Sequence, residues 1–236
     1  MNKKYLLATV LAALALNAQA ASLDVRGQYR TEQEKYETRY LLSHELSNGI
    51  GGGVEYVVDH TSKAGEGLDQ ARWKETEFEL YYKYKLNDTV TLLPSVLFQD
   101  SKSSGDIAKV GLRANWAFAP TWRLDGRLRY EHKTRDTKDL SKKWDNDDTT
   151  RTDLWLRKSV NTEIDTYYNF RWDHKLADYA YPDKSEDLFE HNVGATYKLN
   201  KTFRPYAEFG YLPDALVKNK KLTDDWRIRV GTTINF

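Results

Sequence analysis

Arg227 and Arg229 stand two residues apart near the end of the chain, Arg127 and Arg129 do the same in the middle, and Arg26 and Arg30 are four apart near the start. Residues separated by an even number point to one side of an extended strand, so each set makes a short row of guanidiniums. A guanidinium stays ionised and offers a planar fork of N–H donors that fits a carboxylate at two points. Such rows suit repeated, individually weak contact with carboxylate-bearing molecules rather than one bond-making centre. The five histidines, His44, His60, His132, His174 and His191, are the available bases for a rival class, a barrel enzyme such as a lipase or protease. Three of them fall on apolar faces, no GxSxG is present, and the pattern supplies no serine or carboxylate partner. The stretch "WDNDD", Trp144 to Asp148, has oxygen ligands for calcium but lacks the glycine and closing glutamate of an EF-hand loop, and reads as solvated. No enzyme activity, metal or cofactor is expected.

The elements that must position these rows are strands. "TEFELYYKYKL" sets Thr76, Phe78, Leu80, Tyr82, Tyr84 and Leu86 against Glu77, Glu79, Tyr81, Lys83 and Lys85, and "WRLDGRLRYEHK" sets Trp122, Leu124, Leu128 and Tyr130 against Arg123, Asp125, Arg127, Arg129, Glu131 and Lys133. The last residues put Trp226, Ile228, Val230, Thr232, Ile234 and Phe236 on one face, with Arg227 and Arg229 on the other. A helix would scatter these residues round its circumference. Brief turns at Ser47–Gly49, Leu86–Asp88, Phe118–Thr121, Ser159–Thr162 and Leu199–Lys201 alternate with longer polar stretches near residues 60–72, 100–106, 134–148, 174–187 and 213–224. About twelve strands joined in this rhythm predict an all-β, transmembrane antiparallel barrel with short periplasmic turns and longer extracellular loops.

A mean hydropathy of −0.76 is compatible with that architecture, because a barrel strand needs apolar residues only at alternate positions. The opening "MNKKYLLATVLAALALNAQA" has a positive start at Lys3 and Lys4, an apolar run from Tyr5 to Leu16 and small residues at Ala18 and Ala20, the pattern of a secretory signal peptide over residues 1–20. Residues 21–236 are then one domain without cysteine or linker, in the outer membrane of a Gram-negative cell. Without Lys3 and Lys4 the chain keeps 34 of its 36 basic side chains against 35 acidic ones, a formal charge of −1, which gives no reason to expect nucleic acid as a partner. A secreted β-sandwich or lipocalin-like barrel would also alternate. The apolar face, however, is rich in Tyr and Trp near strand ends, as the interfacial girdles of membrane barrels are.

The segments "ASLDVRGQYR" at 21–30, "YETRYLLSHELSNGIG" at 36–51, "GRLRYEHK" at 126–133, "FRPYAEFGYL" at 203–212 and "RIRVG" at 227–231 resemble the oligogalacturonate-specific porin family, which includes the N-acetylneuraminate channel. The resemblance spans essentially the whole chain after residue 20. It implies a small monomeric outer-membrane barrel that admits acidic oligosaccharides, oligogalacturonates first and N-acetylneuraminate as the alternative, between two tracks of basic residues.

With the charged face assigned to the lumen, the charges segregate by strand. Arg227 and Arg229 on the last strand, Arg26 and Arg30 on the first and Arg39 on the second become neighbours on closure and form one basic wall. Lys109, Arg113, Arg123, Arg127, Arg129, Arg151 and Arg157 form a second, about half a circumference away. Glu55, Glu75, Glu77 and Glu79 flank the walls on one side, Glu190 and Glu208 on the other. The strand through Leu93 contributes no basic residue. Basic rings are a device of anion pores, although carboxylates that simply neutralise the arginines and stiffen the barrel would leave the same pattern. Tyr81, Trp155 and Tyr167 also face inward, where they can stack on sugar rings or fill space.

Overall fold

The computed structural model describes residues 21–102, 105–134, 147–176 and 181–236; the expected signal peptide and Trp144 to Asn146 of "WDNDD" lie outside them. Thirteen strand elements follow in order: β1 (Ala21–Arg30), β2 (Lys35–Glu45), β3 (Ile50–Asp59), β4 (Arg72–Tyr82), β5 (Tyr84–Lys85), β6 (Val90–Ser101), β7 (Gly105–Ala119), β8 (Trp122–Thr134), β9 (Asp147–Ser159), β10 (Ile164–Lys175), β11 (Asp187–Tyr197), β12 (Phe203–Lys218) and β13 (Lys221–Asn235). β4 and β5 are two parts of one strand interrupted at Lys83, and both pair with β6, so the elements make a barrel of twelve antiparallel strands. The ring closes where β1 pairs with β13, from Ser22 opposite Asn235 to Arg30 opposite Arg227. In lipid every backbone N–H and C=O needs a partner, and closure leaves no edge unpaired.

The periplasmic turns have a common chemical cause. Asn48, Asn87, Asn161 and Asn200 each turn a side-chain carbonyl onto the backbone amide two residues on, at 3.1, 2.9, 2.9 and 2.8 Å, and the last three also reach the amide after it. An Asn side chain mimics a backbone turn in this way, and Gly49 completes the first turn at φ 87°. The fifth turn uses Pro120 instead.

The loop side differs from expectation at two places. The polar stretch near 100–106 is mostly strand, since β6 and β7 stay paired through Asp100 opposite Asp106 and Ser101 opposite Gly105. The stretch 213–224 is a hairpin: β12 and β13 remain paired out to Lys218 opposite Lys221, with Asn219 and Lys220 at φ 52° and 62° forming a two-residue turn. Pro213 and Asp214, which suggest a break, occupy a register shift between Leu212 and Leu216, and a bulge accommodates a proline without ending the strand.

Inside and outside are inverted relative to a soluble protein. Among the described residues the buried side chains are five aliphatic and fifteen polar or charged, whereas Leu80, Val96, Val110, Leu128 and Val230 stand more than half exposed on the outer face. Phe236 ends that outer row, and its amide donates to the carbonyl of Ala21 at 2.9 Å.

The refolded protein is expected to migrate differently in SDS before and after boiling; a single boiling-independent band would contradict a closed barrel. Leu128→Arg, in the middle of the outer face, should destabilise the barrel in bilayers by about 2–4 kcal/mol, measured by denaturant unfolding. A water-facing position would tolerate the change.

Candidate functional site: a charged lumen

Alternation turns one row of every strand inward, and these rows enclose a cavity of about 990 Å³. Of the basic residues expected in the lumen, Arg26, Arg30, Arg39, Lys109, Arg127, Arg129, Arg151, Arg227 and Arg229 line it. Arg113, Arg123 and Arg157 do not. They lie toward the periplasmic turns and converge on Asp125, whose side chain is fully buried, at 2.8, 2.8 and 2.7 Å.

The walls are less separate than the strand-by-strand reading suggests. Arg129, Glu131, Arg151, Asp173, Arg171, Glu190 and Arg227 form a belt of alternating sign from β8 round to β13. Arg129 meets Glu131 at 2.7 Å, Arg151 meets Glu131 at 3.2 Å and Asp173 at 2.7 Å, Arg171 pairs with Asp173 and meets Glu190 at 3.4 Å, and Arg227 meets Glu190 at 2.8 Å. Arg171 joins the two walls on this side and was missed in the sequence. It shares a face with Tyr167, already assigned to the lumen, so its phase was available. Arg227 reaches from β13 to Glu190 on β11 across β12, where Gly210 stands opposite both Arg227 and Asn192. A Cβ at Gly210 would overlap the Asn192 side-chain oxygen.

The remaining arginines are also held. Arg39 pairs with Asp24 and with Glu55 at 3.2 Å, Arg127 with Asp153 at 2.7 Å, Arg229 with Glu208 at 2.7 Å, and Arg30 with the buried Asp225 at 2.7 Å. Lys109 meets Glu77 and Gln99. Arg26 is the exception: among the described residues it makes no ion pair or hydrogen bond, although it lines the cavity.

The inward aromatics lie along the wall rather than across the passage. Tyr167 stands opposite Gly194, where a Cβ would overlap its ring, and its hydroxyl donates to Glu208 at 2.5 Å. Tyr81 donates to Glu45 at 3.3 Å. Trp155 carries the guanidiniums of Arg113, Arg127 and Arg157 within 5.1, 5.3 and 5.9 Å of its ring centre, a cation–π arrangement.

At the extracellular end, Lys35, Arg72, Lys74 and Lys102 also line the cavity and were not singled out from the sequence. Their strand-end positions resemble loop charges. In the 60–71 loop, hydrogen bonds from the Ser62 hydroxyl and amide hold the exposed Asp69 carboxyl below its ordinary range. Three of the histidines find partners on the outer face, none of them a serine: His132 meets Asp148 at 2.6 Å, His174 meets Asp187 at 2.9 Å and His191 meets Tyr168 at 2.7 Å. Among the described residues no cluster of three or more metal-ligating side chains occurs.

A closed antiparallel barrel with an apolar band outside and a charged passage inside has the architecture of an outer-membrane porin. The chain belongs to the oligogalacturonate-specific porin protein (KdgM) family, whose family model matches residues 14–236. It is 28% identical over 201 residues to the N-acetylneuraminic acid outer membrane channel protein NanC of Escherichia coli K12, covering 84% of this chain and 82% of that one. It is 25% identical to the oligogalacturonate-specific porin KdgM of Dickeya dadantii over the whole of both chains. The solved NanC porin superposes with a TM-score of 0.78 at 25% identity, over 91% of this chain and 100% of that one. The KdgM porin shares the fold with a TM-score of 0.65 at 19% identity, over 91% and 99% of the two chains.

Asp125→Asn removes the carboxylate that three guanidiniums share. Breaking a buried ion pair from one side costs about 3–5 kcal/mol. The three arginine side chains remain 31%, 46% and 31% exposed, so water offsets part of the loss. A fall near the lower end, about 3 kcal/mol, is expected in urea unfolding of the refolded protein; unchanged stability would mean that the cluster is not held by this carboxylate.

Proposed function

We propose that this porin, exported by the leader at residues 1–20 and acting as a monomer, lets acidic oligosaccharides diffuse through its arginine-lined lumen, oligogalacturonates first among them. The observation that carries this reading is the charge of the cavity. Fourteen basic and nine acidic side chains line it among the described residues, an excess of five positive charges in a chain whose total is only +1. Basic linings favour anions, and many weak sites favour passage over trapping. The ion pairs hold most guanidiniums at the wall as spaced donors. Arg26, which lines the cavity without a carboxylate of its own among the described residues, is the guanidinium left to meet one on a sugar.

The membership in a family described by oligogalacturonate supports that substrate. A second reading, N-acetylneuraminate, is favoured by the nearer superposition on the NanC porin, 0.78 against 0.65 for the KdgM porin. Both are carboxylate sugars. They differ in chain length, so comparing current blockade by a galacturonate trimer and by N-acetylneuraminate distinguishes them.

Charge reversal at Arg127 and Arg129, or at Arg227 and Arg229, should lower or invert the anion preference read as a reversal potential in a salt gradient. Lys63→Glu, in a loop where the side chain is 80% exposed, should change it little, because exposed charges beyond about 10 Å are screened at 0.1 M salt. Acidic oligosaccharides should block the current in the wild type and lose that effect when either set is reversed, while neutral sugars of similar size block weakly throughout. Retention of both anion preference and blockade in the reversed variants would make the arginines structural partners of the carboxylates only.

A further inference from the structure

The cations of the cavity fall into two kinds. Those at depth, Arg26 excepted, are fixed by carboxylates: Arg39 by Asp24 and Glu55, Arg151 by Glu131 and Asp173, Arg229 by Glu208. At the extracellular mouth Lys74 is tied to Glu37 at 2.7 Å, but the side chains of Lys35, Arg72 and Lys102 make no ion pair or hydrogen bond among the described residues. Nearby acids are engaged elsewhere. Glu37 accepts from Lys74 and from Gln28 at 2.9 Å, and Asp59, opposite Arg72 in the backbone register, accepts from the amide of Thr61 at 3.0 Å.

The three free cations share one arc. Lys35 opens β2 opposite Arg30, Arg72 opens β4, and Lys102 follows the end of β6, its amide bonded to the carbonyl of Lys74 at 2.9 Å. β2, β3, β4 and β6 are consecutive neighbours in the barrel, so the arc spans roughly 14 Å at about 4.8 Å per strand.

We propose that Lys35, Arg72 and Lys102 form an encounter site that captures polyanionic oligosaccharides carrying several carboxylates before they reach the arginines below. The inference rests on the proposed function and adds a kinetic division of labour. An unpaired long side chain keeps its mobility and its field. Three like charges on one rim raise the local concentration of an anion, and such steering increases on-rates by about 10- to 1,000-fold at low salt. A guanidinium already held by a carboxylate gains less from a distant anion and acts by geometry at contact. A chain with carboxylates on successive sugars can touch the crescent and the interior together, so the second contact is intramolecular. A single acidic sugar cannot, and the crescent therefore favours length.

The test is current blockade in a planar bilayer by a galacturonate trimer and by galacturonic acid, with on- and off-rates taken separately from event frequency and duration. In K35Q/R72Q/K102Q at 0.1 M KCl the trimer's on-rate should fall about 10-fold, with the off-rate unchanged. The monomer's on-rate should fall less, and the difference between variant and wild type should vanish in 1 M KCl. The three residues are unpaired, so the variant should fold, which its boiling-dependent mobility verifies. An unchanged trimer on-rate, or a loss confined to the off-rate, overturns the encounter site while leaving the pathway standing. A wild type that neither sugar blocks would overturn the pathway itself, and the encounter site with it.

Discussion

An unpaired backbone amide in lipid is expensive, and the rest of this structure follows from avoiding it. Pairing β1 with β13 removes the last open edge, so every strand has two neighbours and every inward residue faces others across a bounded space. Once the ring is closed, side-chain parity is binary: each strand residue meets either lipid or lumen. This is why a hydropathy suited to a soluble protein belongs to a membrane protein, and why its few buried aliphatic side chains, such as Val57 and Leu97, are outnumbered by charged and polar ones.

Closure also brings charges together. Arginines crowded on an inner wall would repel one another unless neutralised, and the lumen meets this with carboxylates at nearly every step of the belt from Arg129 to Arg227. Neutralisation that was complete would remove the field that attracts an anion. The balance is incomplete in two places: at Arg26, halfway down the first wall, and at the mouth, where Lys35, Arg72 and Lys102 have no partner among the described residues. Rigid, paired guanidiniums give the passage a defined lining. The unpaired cations leave it a net charge.

Glycine keeps that lining thin. Gly194 lets Tyr167 lie flat while its hydroxyl holds Glu208, and Gly210 opens the space through which Arg227 reaches past β12. Both are inward positions where a side chain would narrow the passage or break the belt.

Much of this was legible in the sequence because side-chain direction in a strand is a local property with a period of two. The strand rhythm, the periplasmic turns with their asparagines, the lipid-facing row through Ile228 and Val230, and the inward phase of Arg127, Arg129, Arg227 and Arg229 all follow from residue order. What each charge touches does not follow. Arg227 bonds to a residue two strands away, Arg113 and Arg157 meet at Asp125 below the cavity, and Arg171 bridges walls that seemed separate. The hairpin at 213–224 was hidden because proline and aspartate signal a break locally, whereas pairing with a neighbouring strand absorbs them as a bulge. Distances across a barrel depend on register, bulges and closure, which belong to the whole ring; the sequence alone determined which way each side chain points, and only the tertiary structure decided what it meets there.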